Sequence, residues 1–273
     1  MCRRVQFRVV RFVVPPVFNT GPSSFRTSVS ATAIIPARYQ SSRLPGKALA
    51  DIAGRPMIEH VYRRASAAAT VSRVLVATDD ARIFDAVRAF GGEVVMTSAA
   101  HPSGTDRLAE AAAALDCDLV VNVQGDEPLL APETIDAAVM PFVTDPALEM
   151  STLRRAIGDA EERHNPNVTK VVVDRDGYAL YFSRAPIPFT RPGQPEARAW
   201  AHVGLYVYRR DTLLRLAALP PTEMERAEAL EQLRALEHGI RIKAIKTTHA
   251  TIGVDTREDL EHVRALMAHV ITT

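Results

Sequence analysis

Two cysteines, one tryptophan and no long apolar run set the first limits on this chain of 273 residues. Cys2 and Cys117 are far apart in sequence, which excludes a disulfide framework and a cysteine-based zinc site and fits a reducing cytoplasm. No apolar run is long enough to span a bilayer, so a membrane is not an expected partner. The formal net charge is only +1, so the molecule as a whole gives no reason to expect nucleic acid either. Two nucleotide signatures are also missing. Without G-x-G-x-x-G after the first predicted strand, an NAD-dependent oxidoreductase is disfavoured, and without G-x-x-x-x-G-K-[ST] a P-loop kinase is excluded.

Acid is absent from residues 1–30, which carry Arg3, Arg4, Arg8, Arg11 and Arg26. Arg8 and Arg11 interrupt any signal-peptide core, while Pro15, Pro16, Gly21 and Pro22 break a helix. An organelle transit peptide and a disordered extension both fit this composition; the extension is the preferred reading. Residues 31–270 are then expected to form one folded unit.

With 47% hydrophobic and 24% charged residues, that unit has the composition of an ordinary globular protein. Its first part alternates. A strand at Thr32–Ile35 is followed by a helix with Pro56 at its first position and Met57, Ile58, Val61 and Tyr62 at helical spacing. A strand at Arg73–Ala77 runs to Asp79 and Asp80, which can cap a helix over Ala81–Phe90, and Glu93–Met96 makes the next strand. Such alternation predicts a parallel sheet covered by helices on its faces. Asp118–Gln124 is the most continuous apolar run, expected at the sheet centre. Beyond it, Met150–Ala156, Val168–Asp174, Tyr178–Arg184 and His202–Arg209 read as strands, with a hairpin turn at Asp174–Gly177. The pieces over about 178–209 are expected to form an antiparallel insertion suited to a substrate lid or subunit contact. Met224, Ala227, Leu230, Leu233 and Leu236 predict one amphipathic helix over Thr222–His238, followed by a strand over Ile240–Thr247 and a final helix after Asp255 and Thr256.

Three stretches carry chemistry. The loop Ile34–Lys47 gathers Arg38, Arg43 and Lys47 without an acid, at the carboxyl end of the first strand, where open sheets bind ligands. A solvated basic turn and a nucleoside-triphosphate site both fit it. Ser103, Gly104 and Thr105 open a helix whose free N–H groups can meet an anion, although simple capping also accounts for them. Asp126 follows the central strand, where a carboxylate can hold Mg²⁺ beside phosphates or merely turn the chain. Asp255, taken alone, reads as a helix cap.

Together the motifs become specific. PAR-x-x-S-x-R-L-P-x-K, HPSGTDR, NVQGDEP, NPN-x-x-K, YALYFSRAPIP, H-x-G-x-Y-x-Y, LEQLR and GVDT occur in this order. The series closely resembles the 3-deoxy-manno-octulosonate (Kdo) cytidylyltransferase family, over all but the leader and the last few residues. The resemblance implies a Rossmann-like nucleotidyltransferase of the nucleotide-diphospho-sugar transferase type. Its mixed, mostly parallel sheet would carry helices on both faces and an antiparallel insertion. It further implies a cytoplasmic homodimer using CTP, Kdo and Mg²⁺. CMP would be joined to the anomeric hydroxyl of Kdo, with release of pyrophosphate, for lipopolysaccharide synthesis. By the same resemblance Arg43, Lys47, Asp126 and Asp255 would be catalytic, with Asp126 and Asp255 binding the metal. Pro36, Ala37, Arg38, Arg43, Lys47, Ser103, Gly104, Thr105 and Arg107 would hold the nucleotide. Gln124, Arg184, His202, Tyr206, Glu231 and Gln232 would line the sugar pocket. The loop between Pro188 and His202 is shorter than in several relatives, and the leader has no counterpart in most. The alternatives are a cytidylyltransferase for 8-amino-Kdo or sialic acid, and a nucleotide-sugar binding module without catalysis.

Overall fold

The structure, a computed structural model, describes residues 30–40, 43–101, 103–249 and 251–271. The expected leader, up to residue 29, lies outside the described residues, as do Ser41 and Ser42 of the first loop and Pro102 of HPSGTDR.

The chain begins with β1 (Ala31–Ala37), a short ribbon of β2 (Asp51–Ile52) and β3 (Arg55–Pro56), α1 (Met57–Ser66), β4 (Val71–Thr78), α2 (Ala81–Ala89) and β5 (Val94–Met96). Next come α3 (Gly104–Ala113), β6 (Leu119–Asn122), α4 (Pro132–Val139), α5 (Pro141–Thr144), β7 (Met150–Ala156), α6 (Ala160–His164), β8 (Lys170–Val173) and β9 (Ala179–Ser183). The last third holds β10 (Trp200–Arg209), α7 (Arg210–Ala218), α8 (Glu223–Glu228), α9 (Gln232–Glu237), β11 (Ile242–Lys246) and α10 (Arg257–Ile271).

The main sheet runs β11-β7-β10-β6-β1-β4-β5, with β8 and β9 attached beside β10. All four residues of β6 are buried, and β1 is nearly so, because helices cover both faces of these central strands. Ile58 and Val61 of α1 and Ile135 and Ala138 of α4 pack on one face. Leu108 of α3, Leu213 of α7 and Leu233 of α9 pack on the other. A smaller cluster of Ile52, Met57, Val254, Leu260 and Val263 fastens α10 to the start of the fold.

Three expectations are corrected. The strand assigned to the antiparallel insertion, β10, lies inside the main sheet, antiparallel to both β6 and β7, with a bulge between Val203 and Tyr206. Its register partners, Leu119–Asn122 and Met150–Ala156, lie far earlier in the chain, so no local pattern within 200–209 places it in the sheet. The predicted helix over Thr222–His238 is broken into α8 and α9 at Ala229, which takes a left-handed φ of 50°. Met224 and Ala227 are exposed, so the apolar stripe does not continue through the break. Pro56 caps α1 rather than entering it, because its backbone is still extended at ψ 144°.

Strands β1, β4, β6, β7 and β11 all run parallel, directly or through β10, so their carboxyl ends share one edge. The loops that follow β1 and β6 meet there.

Candidate active site

The loop after β1 is shaped by one glycine. Gly46 has a φ of +69°, and a Cβ there would lie 3.1 Å from the Tyr39 ring. The Gly46 N–H donates to the Tyr39 carbonyl at 2.8 Å, and a single 3₁₀ turn, Lys47–Leu49, follows. The Arg82 guanidinium covers the Tyr39 ring, 3.2 Å from its centroid.

This loop delivers Lys47 to two carboxylates from distant parts of the chain. Lys47 Nζ donates to Asp126 Oδ2 at 2.5 Å, to Asp255 Oδ1 at 3.1 Å and to the Val254 carbonyl at 3.3 Å. Arg43 Nη2 reaches Asp255 Oδ2 at 2.9 Å. Burial pulls the Lys47 ammonium pKa down, but Asp126 and Asp255 outweigh it and hold the group above its ordinary value. Asp255 is available because the capping work goes elsewhere. The Thr256 and Asp259 side chains exchange hydrogen bonds with each other's backbone N–H at the start of α10. Asp126 is brought in by Gly125, where a Cβ would lie 3.0 Å from the Pro36 carbonyl, so the β1 and β6 loops pack backbone to backbone.

Beside this cluster is a cavity of about 190 Å³. Pro36, Gly104 and Thr105, expected at the nucleotide, line it together with Gln124, Tyr206, Glu231 and Gln232, expected at the sugar. Ser103 caps α3 in a reciprocal box with Asp106. Glu231 binds this helix start from across the cleft: its Oε1 accepts from Ser103 Oγ at 3.0 Å and its Oε2 from Thr105 Oγ1 at 2.7 Å. The break at Ala229 turns Glu231 into that position. Gln124 Nε2 donates to the Gly204 carbonyl at 3.2 Å. Burial, with smaller contributions from Tyr208 and Glu231, pushes the Tyr206 phenol well above its usual pKa. His202 lies behind the cavity wall, between Phe182 and Tyr206, with Nε2 2.9 Å from Thr152 Oγ1; burial lowers its pKa to about 4.

Other predicted residues are placed apart. Ala37 is buried, and Arg38 Nη2 donates to the His101 carbonyl at 3.0 Å. Arg107 is fully buried and turned toward Asp79 Oδ2 at 2.7 Å and Thr97 Oγ1. The Arg184 guanidinium donates to the carbonyls of Glu228, Pro166 and Ala229, while Glu228 Oε2 accepts from the Arg184 N–H at 2.9 Å. It acts as a brace for the α8–α9 elbow.

Three lining or neighbouring groups had no role assigned from sequence. Asn122 and Tyr208 line the cavity, and Glu127 is buried beside Asp126. Burial first, and the Asp126 charge second, push the Glu127 carboxyl up to about 7, and its Oε2 has no partner. All three stand inside motifs already noted, NVQGDEP and H-x-G-x-Y-x-Y, which was the available signal.

A family model for cytidylyltransferases matches residues 32–242. The 3-deoxy-manno-octulosonate cytidylyltransferase of Geobacter sulfurreducens is 55% identical over 245 residues, covering 86% of this chain and 98% of the relative. That of Geotalea uraniireducens is 56% identical over 242 residues, covering 85% and 96%. Among solved structures, a CMP:2-keto-3-deoxy-manno-octonic acid synthetase complexed with CTP superimposes with a TM-score of 0.84 at 50% identity, over 88% of this chain and 99% of that one.

Proposed function

Because the chain belongs to the 3-deoxy-manno-octulosonate cytidylyltransferase family, we propose that its cleft transfers CMP from CTP to the anomeric hydroxyl of Kdo and releases pyrophosphate. The observation that carries this reading is the convergence of Lys47 and Arg43 on Asp126 and Asp255 beside a cavity floored by the start of α3.

The sugar hydroxyl attacks the α-phosphorus as the bond to pyrophosphate breaks, and negative charge grows on the leaving group. Lys47 and Arg43 meet that charge, Arg43 with a fork that can bind two oxygens. Lys47 suits the task because its carboxylate neighbours keep it protonated. Gly104 and Thr105 line the cavity and stand in the first turn of α3, whose backbone N–H groups have no partner within the helix and can donate to acceptors on cytosine. Gln124, Tyr206 and Gln232 offer donors and acceptors to the sugar hydroxyls. His202 and Arg184 support that wall from behind.

Two carboxylates that already meet on one cation form a hard-oxygen pair suited to Mg²⁺, which commonly takes one or two carboxylates and completes its shell with phosphate and water. Asp126 and Asp255 would hold it, and it would supply charge neutralisation at the phosphates and a lowered pKa for the attacking hydroxyl.

The same reading includes a homodimer, a cytoplasmic setting and a place in lipopolysaccharide synthesis. Exposed apolar side chains support the dimer: Phe189 is 83% and Leu180 63% accessible. Scattering-derived mass in solution checks it. Among the described residues no helix is long and apolar enough to cross a membrane.

Pyrophosphate release with CTP and Mg²⁺ tests the reaction, with Kdo, 8-amino-Kdo and sialic acid compared and ATP, GTP and UTP as controls. Release with CTP and Kdo is expected. A preference for another sugar would retain the phosphate chemistry and overturn the pocket assignment; no release from folded protein would favour a binding module.

A further inference from the structure

A second cavity, of about 430 Å³, opens where β7 and β11 end and β10 begins. One of its walls is Trp200, the chain's single tryptophan. Three cations surround that indole: Arg154 Cζ lies 4.5 Å, Lys246 Nζ 5.4 Å and Arg198 Cζ 5.5 Å from the ring centroid. Sheet register explains the gathering, since Lys246 pairs with Arg154 and Trp200 pairs with Ala156.

Cations so grouped repel one another, and protein surfaces usually place carboxylates among them. Here none of the three has a carboxylate in ion-pair range among the described residues. Arg154 is buried with only Nε engaged, on the Ala244 carbonyl at 3.0 Å. The π-face offsets part of the cost of burying that guanidinium but leaves its charge uncompensated. Thr247, Thr248 and His249 add potential donors to the lining, and Glu133 is its one acid. The exposed Arg198 and Lys246 leave the mouth open to a solute.

We propose that this cavity binds a phosphate-type oxyanion, with Arg198 and Lys246 of its lining supplying the direct countercharge, Arg154 against the indole adding positive potential, and Thr247 and Thr248 hydrogen bonds. The inference stands apart from the reaction assigned above, and none of these residues is placed in the catalytic cluster.

Trp200 supplies the readout, because no other indole contributes to emission. The protein is titrated with inorganic phosphate, pyrophosphate and CTP at constant ionic strength, following tryptophan fluorescence and, separately, binding stoichiometry by calorimetry. The expected result is a saturable emission change, with calorimetry showing a site that survives Lys47→Ala. Arg198→Ala and Lys246→Ala should each weaken it about tenfold, the scale of one charge-assisted hydrogen bond, while leaving cytidylyl transfer unchanged. Whichever of phosphate, pyrophosphate and CTP binds most tightly identifies the source of the oxyanion. A response lost in Lys47→Ala but intact in the Arg198→Ala, Lys246→Ala double variant would overturn the proposal, since the anion would then be bound at the catalytic cluster. So would emission that changes only linearly, as with potassium chloride, together with no calorimetric site sensitive to Arg198 or Lys246. Binding of an acidic peptide with no binding of any phosphate compound would overturn it in favour of a protein-docking role.

Discussion

The Lys47 ammonium donates to the Asp126 carboxylate at 2.5 Å although 79 positions separate the two residues. The contact joins the loop after β1 to the loop after β6 and keeps a positive charge at the phosphate end of the cleft. Lys47→Ala should therefore lower kcat/KM by about 3 kcal/mol of transition-state stabilisation, roughly a hundredfold or more. Single-turnover rates measure this directly, and a variant with normal chemistry would remove Lys47 from the phosphate-stabilising role.

Asp255 has a second partner, Arg43, and is released from capping by Thr256 and Asp259. Asp255→Asn should leave the fold intact and remove most turnover, with the remaining activity needing more Mg²⁺. Asp126→Asn should behave likewise, and chelation of the metal should abolish turnover in the parent protein. A Mg²⁺ titration curve unchanged in Asp255→Asn would exclude it as a metal ligand.

Arg107 is buried completely and pairs with Asp79 at 2.7 Å. Removing the carboxylate strands a buried guanidinium, so Asp79→Ala should cost about 3–5 kcal/mol of stability. Denaturant unfolding measures this loss. If Arg107 instead swings out to contact nucleotide, Asp79→Ala will change the KM for CTP and leave stability nearly untouched.

His202 gives a pH signature. Burial moves its pKa from 6.5 to about 4, so between those values the unfolded chain takes up a proton that the folded protein excludes. This contribution to stability is fully present above pH 6.5 and is lost as pH falls toward 4, amounting to about 3 kcal/mol at most. Unfolding free energies at pH 7 and pH 4.5 test it against His202→Gln, which can still hydrogen-bond Thr152. Equal pH slopes in the two proteins would show that another group controls acid sensitivity.

Much of the parallel core was legible residue by residue. Ala31–Ala37, Leu119–Asn122 and the Val74–Thr78 part of β4 are almost wholly buried, so each is written as a compact, largely apolar run, and local turn residues mark its ends. The caps Asp80 and Ser103 were equally readable, because capping involves neighbours in sequence. The ordered motifs pointed to the same loops that the fold brings to one edge.

What the sequence by itself determined is therefore local: which segments extend, which coil, where charge is withheld or concentrated, and which family pattern they compose. Tertiary structure alone decided the rest. It put β10 between β6 and β7, broke the helix at Ala229 so that Glu231 could reach Ser103 and Thr105, and turned Arg107 and Arg184 inward. The physical reason is distance along the chain. Lys47 and Asp255 are 208 positions apart, and no local propensity encodes which of several cations will meet a given carboxylate once the sheet has closed. That choice follows from strand register, which brings distant charges together, and from the cost of leaving a buried charge without a partner.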